Sequence, residues 1–224
     1  MNGTGRHEKK HRINYADYLQ LRARLQQVAR PDENAVNGGS YRVMSLYFDN
    51  YSDKALREKL DGVNDREKFR LRYYNGDTSF IRLEKKSKHA GLCYKQSTSL
   101  TATQCAALLR GELDVLKQNA DPLCMELYAK MRYELLRPKN LVDYKREAYV
   151  YEAGNVRVTI DSDLRRGTDV TQFLSPHPIT VPIPGVMILE VKYDAFLPEV
   201  IRGVVTLSSR QAAAFSKYAA ARIG

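Results

Sequence analysis

Residues Glu67–Lys88 read EKFRLRYYNGDTSFIRLEKKSK. Asn75-Gly76-Asp77 is a hairpin-turn signal, because Asn and Gly tolerate the positive φ that a tight turn between strands demands. On either side the residues alternate. In FRLRYY, Arg70, Arg72 and Tyr74 share one face and Phe69, Leu71 and Tyr73 the other. In IRLEKK, Arg82, Glu84 and Lys86 oppose Ile81, Leu83 and Lys85. Seven basic residues stand against three acidic ones over these 22 positions. Like charges facing each other across paired strands are destabilising, so this hairpin needs a reason to gather them.

The same alternation recurs along the chain. VRVTID sets Arg157, Thr159 and Asp161 against Val156, Val158 and Ile160. ILEVKY sets Glu190 and Lys192 against Leu189, Val191 and Tyr193, and YKREAY keeps Tyr144 and Arg146 together. Near the start, Arg6, Glu8, Lys10 and Arg12 share a face. An open sheet scatters such charge into water, whereas a closed barrel concentrates it inside. An interior lined by Arg, Lys and a few Glu suits a polyanion and a metal ion.

Strands are expected at 6–13, 41–48, 69–74, 79–86, 92–96, 143–151, 156–160 and 187–193. Helices are expected after Asn14, ending before Pro31, and between an Asp53 cap and Gly62. Others are expected from the Thr101-x-x-Gln104 capping box to Leu109, from Asp121-Pro122 to about Leu135, and from Ser208-x-x-Gln211 through Phe215 and Tyr218. Many strands with few helices between them imply an α+β fold: a mostly antiparallel β-barrel with helices packed outside. Phe69, Leu71, Ile81 and Leu83 would anchor its wall to those helices, and Tyr41, Tyr47 and Phe48 read as packing residues.

The chain has 224 residues, 43% of them hydrophobic, with a formal net charge of +10. No linker-like stretch divides it, so one domain over 1–224 is expected, with 1–5 as a flexible tail. The charge points to anionic partners. Three cysteines without a CxxC pair argue against a disulfide framework and favour a reducing, cytoplasmic setting. MNGTGRHEKKHR is not a signal-like start, and no run of about 18 apolar residues predicts a membrane span. His7-Glu8-x-x-His11 matches a zinc-hydrolase motif, which requires a helix; this run reads as a strand. No GxxxxGK[ST] loop occurs, and His177 reads as a loop residue. Nucleic-acid binding is the rival reading of the charge, but no aromatic RNA-binding motif accompanies it.

The ordered set RHEKKHRI, RVMSLYFDN, KFRLRYY, LEKKSK, CYKQS, YKREAY, VRVTID, LEVKYD and FSKY resembles the vacuolar transporter chaperone (VTC) domain. That family is the polyphosphate polymerase branch of the triphosphate tunnel metalloenzymes, related to CYTH domains. The resemblance runs from Arg6 to about Arg222. It implies a tunnel barrel holding a triphosphate-like chain, with ATP and inorganic polyphosphate (or triphosphate) as partners and nucleic acid not among them. It implies phosphate contacts from Lys10, Arg70, Arg72, Lys86, Lys95, Arg146, Arg157 and Lys192, a hydrogen bond from Tyr144, and closure of one mouth by Lys217. Arg70, Arg72, Lys192 and Arg146 are expected to be catalytic. Glu190 is the first candidate for Mn²⁺ or Mg²⁺, with Glu84 and Glu8 as further ones that pair equally well with neighbouring arginines. The implied reaction is transfer of the ATP γ-phosphate to a growing polyphosphate chain. A metal-dependent triphosphatase or polyphosphate hydrolase, and a non-catalytic polyphosphate-binding module, are the alternatives. Hydrolytic cousins carry Glu-x-Glu-x-Lys on the first strand; here Arg6 stands at the first acidic position, which favours the polymerase. Eukaryotic members add an SPX domain and membrane helices, which this sequence lacks; a separate membrane partner is compatible with it.

Overall fold

The structure, a computed structural model, describes residues 5–33, 39–207 and 215–223. All but Gly5 of the expected tail, and the Ser208–Gln211 opening of the expected last helix, lie outside these residues.

Eight long strands build the wall: β1 (His7–Ile13), β3 (Ser40–Asp49), β4 (Arg66–Tyr74), β5 (Asp77–His89), β6 (Leu92–Leu100), β7 (Arg137–Tyr151), β8 (Val156–Gly167) and β10 (Met187–Tyr193). Two-residue strands β2 (Arg30–Pro31) and β9 (Val181–Pro182) pair with β7 and β8. The strand order is β1-β10-β8-β7-β3-β4-β5-β6, with every neighbouring pair antiparallel. The sheet curls until its two edges meet. There Arg6 N–H donates to the Cys93 carbonyl at 3.0 Å, and Cys93 N–H donates to the Arg6 carbonyl at 3.1 Å.

The outward residues of this wall are apolar and meet helices. Met44, Leu46 and Phe48 of β3, Phe69 and Leu71 of β4, and Ile81 and Leu83 of β5 pack with α3 (Ala102–Leu109) and α4 (Pro122–Tyr133). Val156, Val158, Ile160, Leu189 and Val191 pack with α1 (Tyr15–Val28) and α5 (Glu199–Val205). Burial of these side chains on the outer face fixes register, because a one-residue slip would turn each cation into the core.

The caps are local devices. Asn14 and Thr101 both make complete capping boxes, and the Asp121 side chain accepts from Leu123 N–H at 2.8 Å. Asp53 does not cap α2 (Lys54–Leu60) as expected: it sits at φ 52° and its side chain makes no cap bond. Asp49 takes that role. Fully buried, its carboxylate accepts from Ala55 N–H at 2.9 Å, from Leu56 N–H at 3.1 Å and from the Tyr218 hydroxyl at 2.7 Å. Asp53 instead receives Arg222 of α6 (Lys217–Ile223) at 2.8 Å. The two aspartates therefore tie α6 to the strand–helix corner. Helix α4 stops at Tyr133, short of Leu135, which adopts φ 55°. His7–His11 lies on β1, so the zinc-hydrolase motif lacks the helix it needs, and His7 stacks on Tyr193 at 5.0 Å. All three cysteines are free. Among the described residues, no helix is long and apolar enough to cross a membrane.

Candidate functional site

The inner face of the wall collects what the outer face excludes. Register sets like charges directly opposite one another: Lys68 with Lys86, Arg72 with Arg82, Lys86 with Lys95, and Lys192 with Arg157. A cavity of about 200 Å³ runs along this face. Lys10, Arg70, Arg72, Lys86, Lys95, Tyr144, Arg146, Arg157, Lys192, Lys217, Glu8 and Glu190 all line it. Seven strands and one helix contribute these side chains, so only the closed sheet brings them together. Of the residues singled out from the sequence, Glu84 alone does not face the cavity.

Glu84 lies in the wall behind it, 1% exposed. Its carboxylate receives Arg70 Nε at 2.7 Å and Lys95 Nζ at 2.5 Å, with Arg72 Nη1 at 3.9 Å. Burial alone would raise this acid, but Arg70, Arg72 and Lys95 hold it far below the usual carboxylate range. Its oxygens are committed to aiming three cations.

Tyr144 organises the opposite wall. Arg146 lies 5.3 Å, Lys217 4.9 Å and Arg72 6.0 Å from its ring centroid. Its hydroxyl accepts from Arg72 Nη2 at 3.0 Å, while Arg72 Nε donates to Ser45 Oγ at 3.0 Å. Asp161, at 2% exposure, receives Arg146 through both oxygens at 2.6 and 2.8 Å and also pairs with Lys217. Burial opposes ionisation of Asp161, yet Arg146 and Lys217 bring it down to about 2. Asp161 thus fixes α6 to the tunnel wall.

The two cavity-facing glutamates sit close together, among lysines. Lys10 lies 2.6 Å from Glu8, which also pairs with Lys86. Lys192 is 3.2 Å and Arg146 3.7 Å from Glu190. Burial and Glu190 push Glu8 up, but Lys10, Lys86 and Lys192 bring it to about 2. Glu190 is likewise held well below the usual range, burial being outweighed by Lys192, Lys10, Lys86 and Lys217. Both are ionised at neutral pH. Among the described residues, no three of His, Cys, Asp and Glu gather as a ready-made metal cage.

Three contributors escaped the sequence reading. Lys68 lines the cavity from β4; burial, then Lys86, Lys10 and Arg70, outweigh Tyr47 and bring it down to about 7. Its parity with Arg70 was the available signal. Tyr47 and Tyr41 are buried as expected, but on the inner face, unlike Phe48. The Tyr47 hydroxyl accepts from Arg70 Nη1 at 3.0 Å, and that of Tyr41 accepts from Arg157 Nη2 at 2.9 Å. Burial raises the Tyr47 phenol, but Arg70, Lys68 and Arg72 bring it down to about 6. Arg6, at the position of the first acid in the hydrolytic cousins, lines the same cavity, and its Nε pairs with Asp194 at 2.7 Å.

The model of the VTC domain family matches residues 5–223. The chain belongs to the VTC domain family. Membership supports a polyphosphate- or triphosphate-related function. No curated protein matches the chain. Among solved structures, an adenylate cyclase-like protein from Bacillus halodurans is similar at 14% identity and TM-score 0.48, covering 90% of this chain and 87% of that one. The Mimivirus capping enzyme triphosphatase is similar at 13% identity and TM-score 0.40, with 90% and 87% covered. Both TM-scores lie below 0.5, and the assignment rests on the family match.

Proposed function

We propose that this VTC domain is a polyphosphate polymerase that transfers the γ-phosphate of ATP to the end of a polyphosphate chain held in the tunnel. The observation that carries the reading is the single cavity into which Arg70, Arg72, Arg146, Lys192 and their lysine neighbours converge. Only two carboxylates, Glu8 and Glu190, face it among the described residues. Such a lining binds a chain with several negative charges, and both of its carboxylates are already paired with lysines.

Phosphoryl transfer asks little covalent chemistry of the protein. Arg70 and Arg72, braced by Glu84, Ser45 and Tyr144, offer N–H groups toward the phosphate oxygens on one side. Arg146, Lys192 and Lys217 would neutralise charge from the other. Lys10, Lys86, Lys95 and Arg157 would hold the rest of the chain. The attacking group is a phosphate oxygen, already anionic at neutral pH, so positioning and charge neutralisation carry the rate. The donor set fits a hard divalent ion: Mg²⁺ and Mn²⁺ take one or two carboxylates and complete their shell with phosphate oxygens and water. Glu190, with Glu8, would hold it, and it would add positive charge at the transferred group.

Incubation of the protein with ATP and Mn²⁺ or Mg²⁺, followed by sizing of the anionic products on a gel, tests the reading. Long chains together with ADP are expected. Orthophosphate as the sole product, from ATP or from tripolyphosphate, would replace synthesis with hydrolysis; retention of polyphosphate without any turnover would leave a binding module.

A further inference from the structure

Buried tyrosine hydroxyls in this fold make two kinds of bond. Those of Tyr73, Tyr149 and Tyr218 donate, to the Phe173 carbonyl at 2.8 Å, to Glu147 at 3.3 Å and to Asp49 at 2.7 Å. Those of Tyr41, Tyr144 and Tyr47 accept from a guanidinium. Among the described residues the Tyr47 proton meets no acceptor, and Asp49, close by in sequence, is taken up by α2 and Tyr218. Lys10, Lys86, Lys95, Lys192 and Lys217 each pair with a carboxylate. Lys68 has no carboxylate partner among the described residues, and it lies 5.4 Å from the Tyr47 ring centroid. Arg70 is gripped from two sides. Its Nε donates to Glu84 at 2.7 Å, its Nη2 lies 2.6 Å from the same oxygen, and its Nη1 donates to Tyr47 at 3.0 Å. The outer N–H of each Nη is left for a phosphate. Tyr47 itself is 2% exposed, and its ring stacks on that of Tyr218 at 5.2 Å, so it has no room to swing.

The surroundings of the Tyr47 oxygen favour negative charge. Arg70, Lys68 and Arg72 face it from β4, with Glu84 beyond Arg70, and Lys86 and Lys10 beyond Lys68. From β7 come Asn140 in register and Tyr144 in the same buried cluster, and from α6 comes Tyr218. Burial raises the Tyr47 phenol, but Arg70, Lys68 and Arg72 outweigh it and bring it down to about 6. Burial and Asp143 lift Tyr73 to about 12 instead. We propose that Tyr47 is a positioning residue that serves the empty tunnel as its own anion: the phenolate oxygen holds Arg70 and Lys68 until a phosphate chain arrives. The chain then supplies the negative charge, the phenolate takes a proton from solvent, and the phenol oxygen stays on Arg70 Nη1. Arg70 is therefore aimed before the substrate comes and stays aimed after it. The rate arm of the test rests on the proposed phosphoryl transfer, whereas the absorption and binding arms do not.

The test follows near-ultraviolet absorption, since tyrosinate absorbs to the red of tyrosine and the chain contains no tryptophan to mask it. Between about pH 5 and about pH 8 the wild-type protein should gain the absorption of about one tyrosinate, and Tyr47→Phe should not. Saturating tripolyphosphate at about pH 8 should remove that band. Calorimetric titration should show Tyr47→Phe binding tripolyphosphate at least as tightly as wild type, because the competing anion is gone. Its rate of chain synthesis should nevertheless fall about tenfold or more, because Arg70 is free to pivot. Parallel losses of affinity and rate, or a wild-type absorption that stays constant over this pH range, would overturn the inference. Should Tyr47→Phe fail to fold, the wild-type protein decides alone: loss of the band on adding tripolyphosphate supports the inference, and its persistence contradicts it. Absence of chain synthesis by the wild type would refute the polymerase reading and leave the absorption and affinity results to decide the role of Tyr47.

Discussion

Lys85 and Lys86 are consecutive, yet they face different surroundings. Lys85 points outward, where Glu67 at 3.0 Å and Glu126 both meet it; burial lowers its pKa, but these acids raise it above the ordinary value. Lys86 points inward, opposite Lys68 and Lys95, and shares Glu8 with Lys10. The outer wall supplies Lys85 with two acids, while the inner wall leaves cations in excess. Identical residue types therefore do opposite jobs, one bracing the fold and the other storing repulsion that a polyanion would relieve.

The largest effect that could break this contrast is at Arg70 and Arg72. Each changed to Ala should reduce chain synthesis by at least about a hundredfold, with the far-UV circular dichroism unchanged. An active, folded Arg72→Ala variant would remove the inner wall from the chemistry. Glu84→Gln sharpens the contrast from inside the wall. It leaves Arg70, Arg72 and Lys95 without their shared acid and should lower stability by roughly 3 kcal/mol in urea unfolding. The metal concentration giving half-maximal activity should stay the same; a large rise would make Glu84 a metal ligand instead.

A subtler effect concerns protons. Lys68, brought to about 7 from an ordinary 10.5, is disfavoured in its charged form in the folded state. The unfolded chain therefore binds more protons between those values, and stability should rise with pH from about 7 toward 10.5. A bound polyanion reverses the preference. Tripolyphosphate binding near pH 8 should take up a fraction of a proton, read as a difference in calorimetric heat between Tris and HEPES, and Lys68→Met should diminish it. Equal heats in the two buffers would contradict this.

The strands were legible because each alternates cleanly between an apolar and a charged face, as in FRLRYY and VRVTID. The convergence of those faces depends on pairings far apart in sequence. The Arg6–Cys93 bridge and the β3–β7 ladder leave no local trace. Asp53 looked like a helix cap because its residue type and position suited one, but its left-handed backbone turns the side chain toward Arg222, and Asp49 does the capping. Asp161 read as one more inward polar residue; its hold on Lys217 appears only once α6 packs against β8. Short β2 and β9 lack an alternating pattern and exist only through pairing to β7 and β8.

The central claim is that parity along one strand separates scaffold from site, and two neighbouring substitutions test it directly. Tripolyphosphate would be titrated into Lys86→Ala and Lys85→Ala under identical salt. Lys86→Ala should weaken binding about tenfold or more. Lys85→Ala should stay within about twofold of wild type and lose no more than about 1 kcal/mol of stability. Equal losses of affinity in the two variants would mean that overall charge, and not an inward-facing tunnel lining, holds the anion.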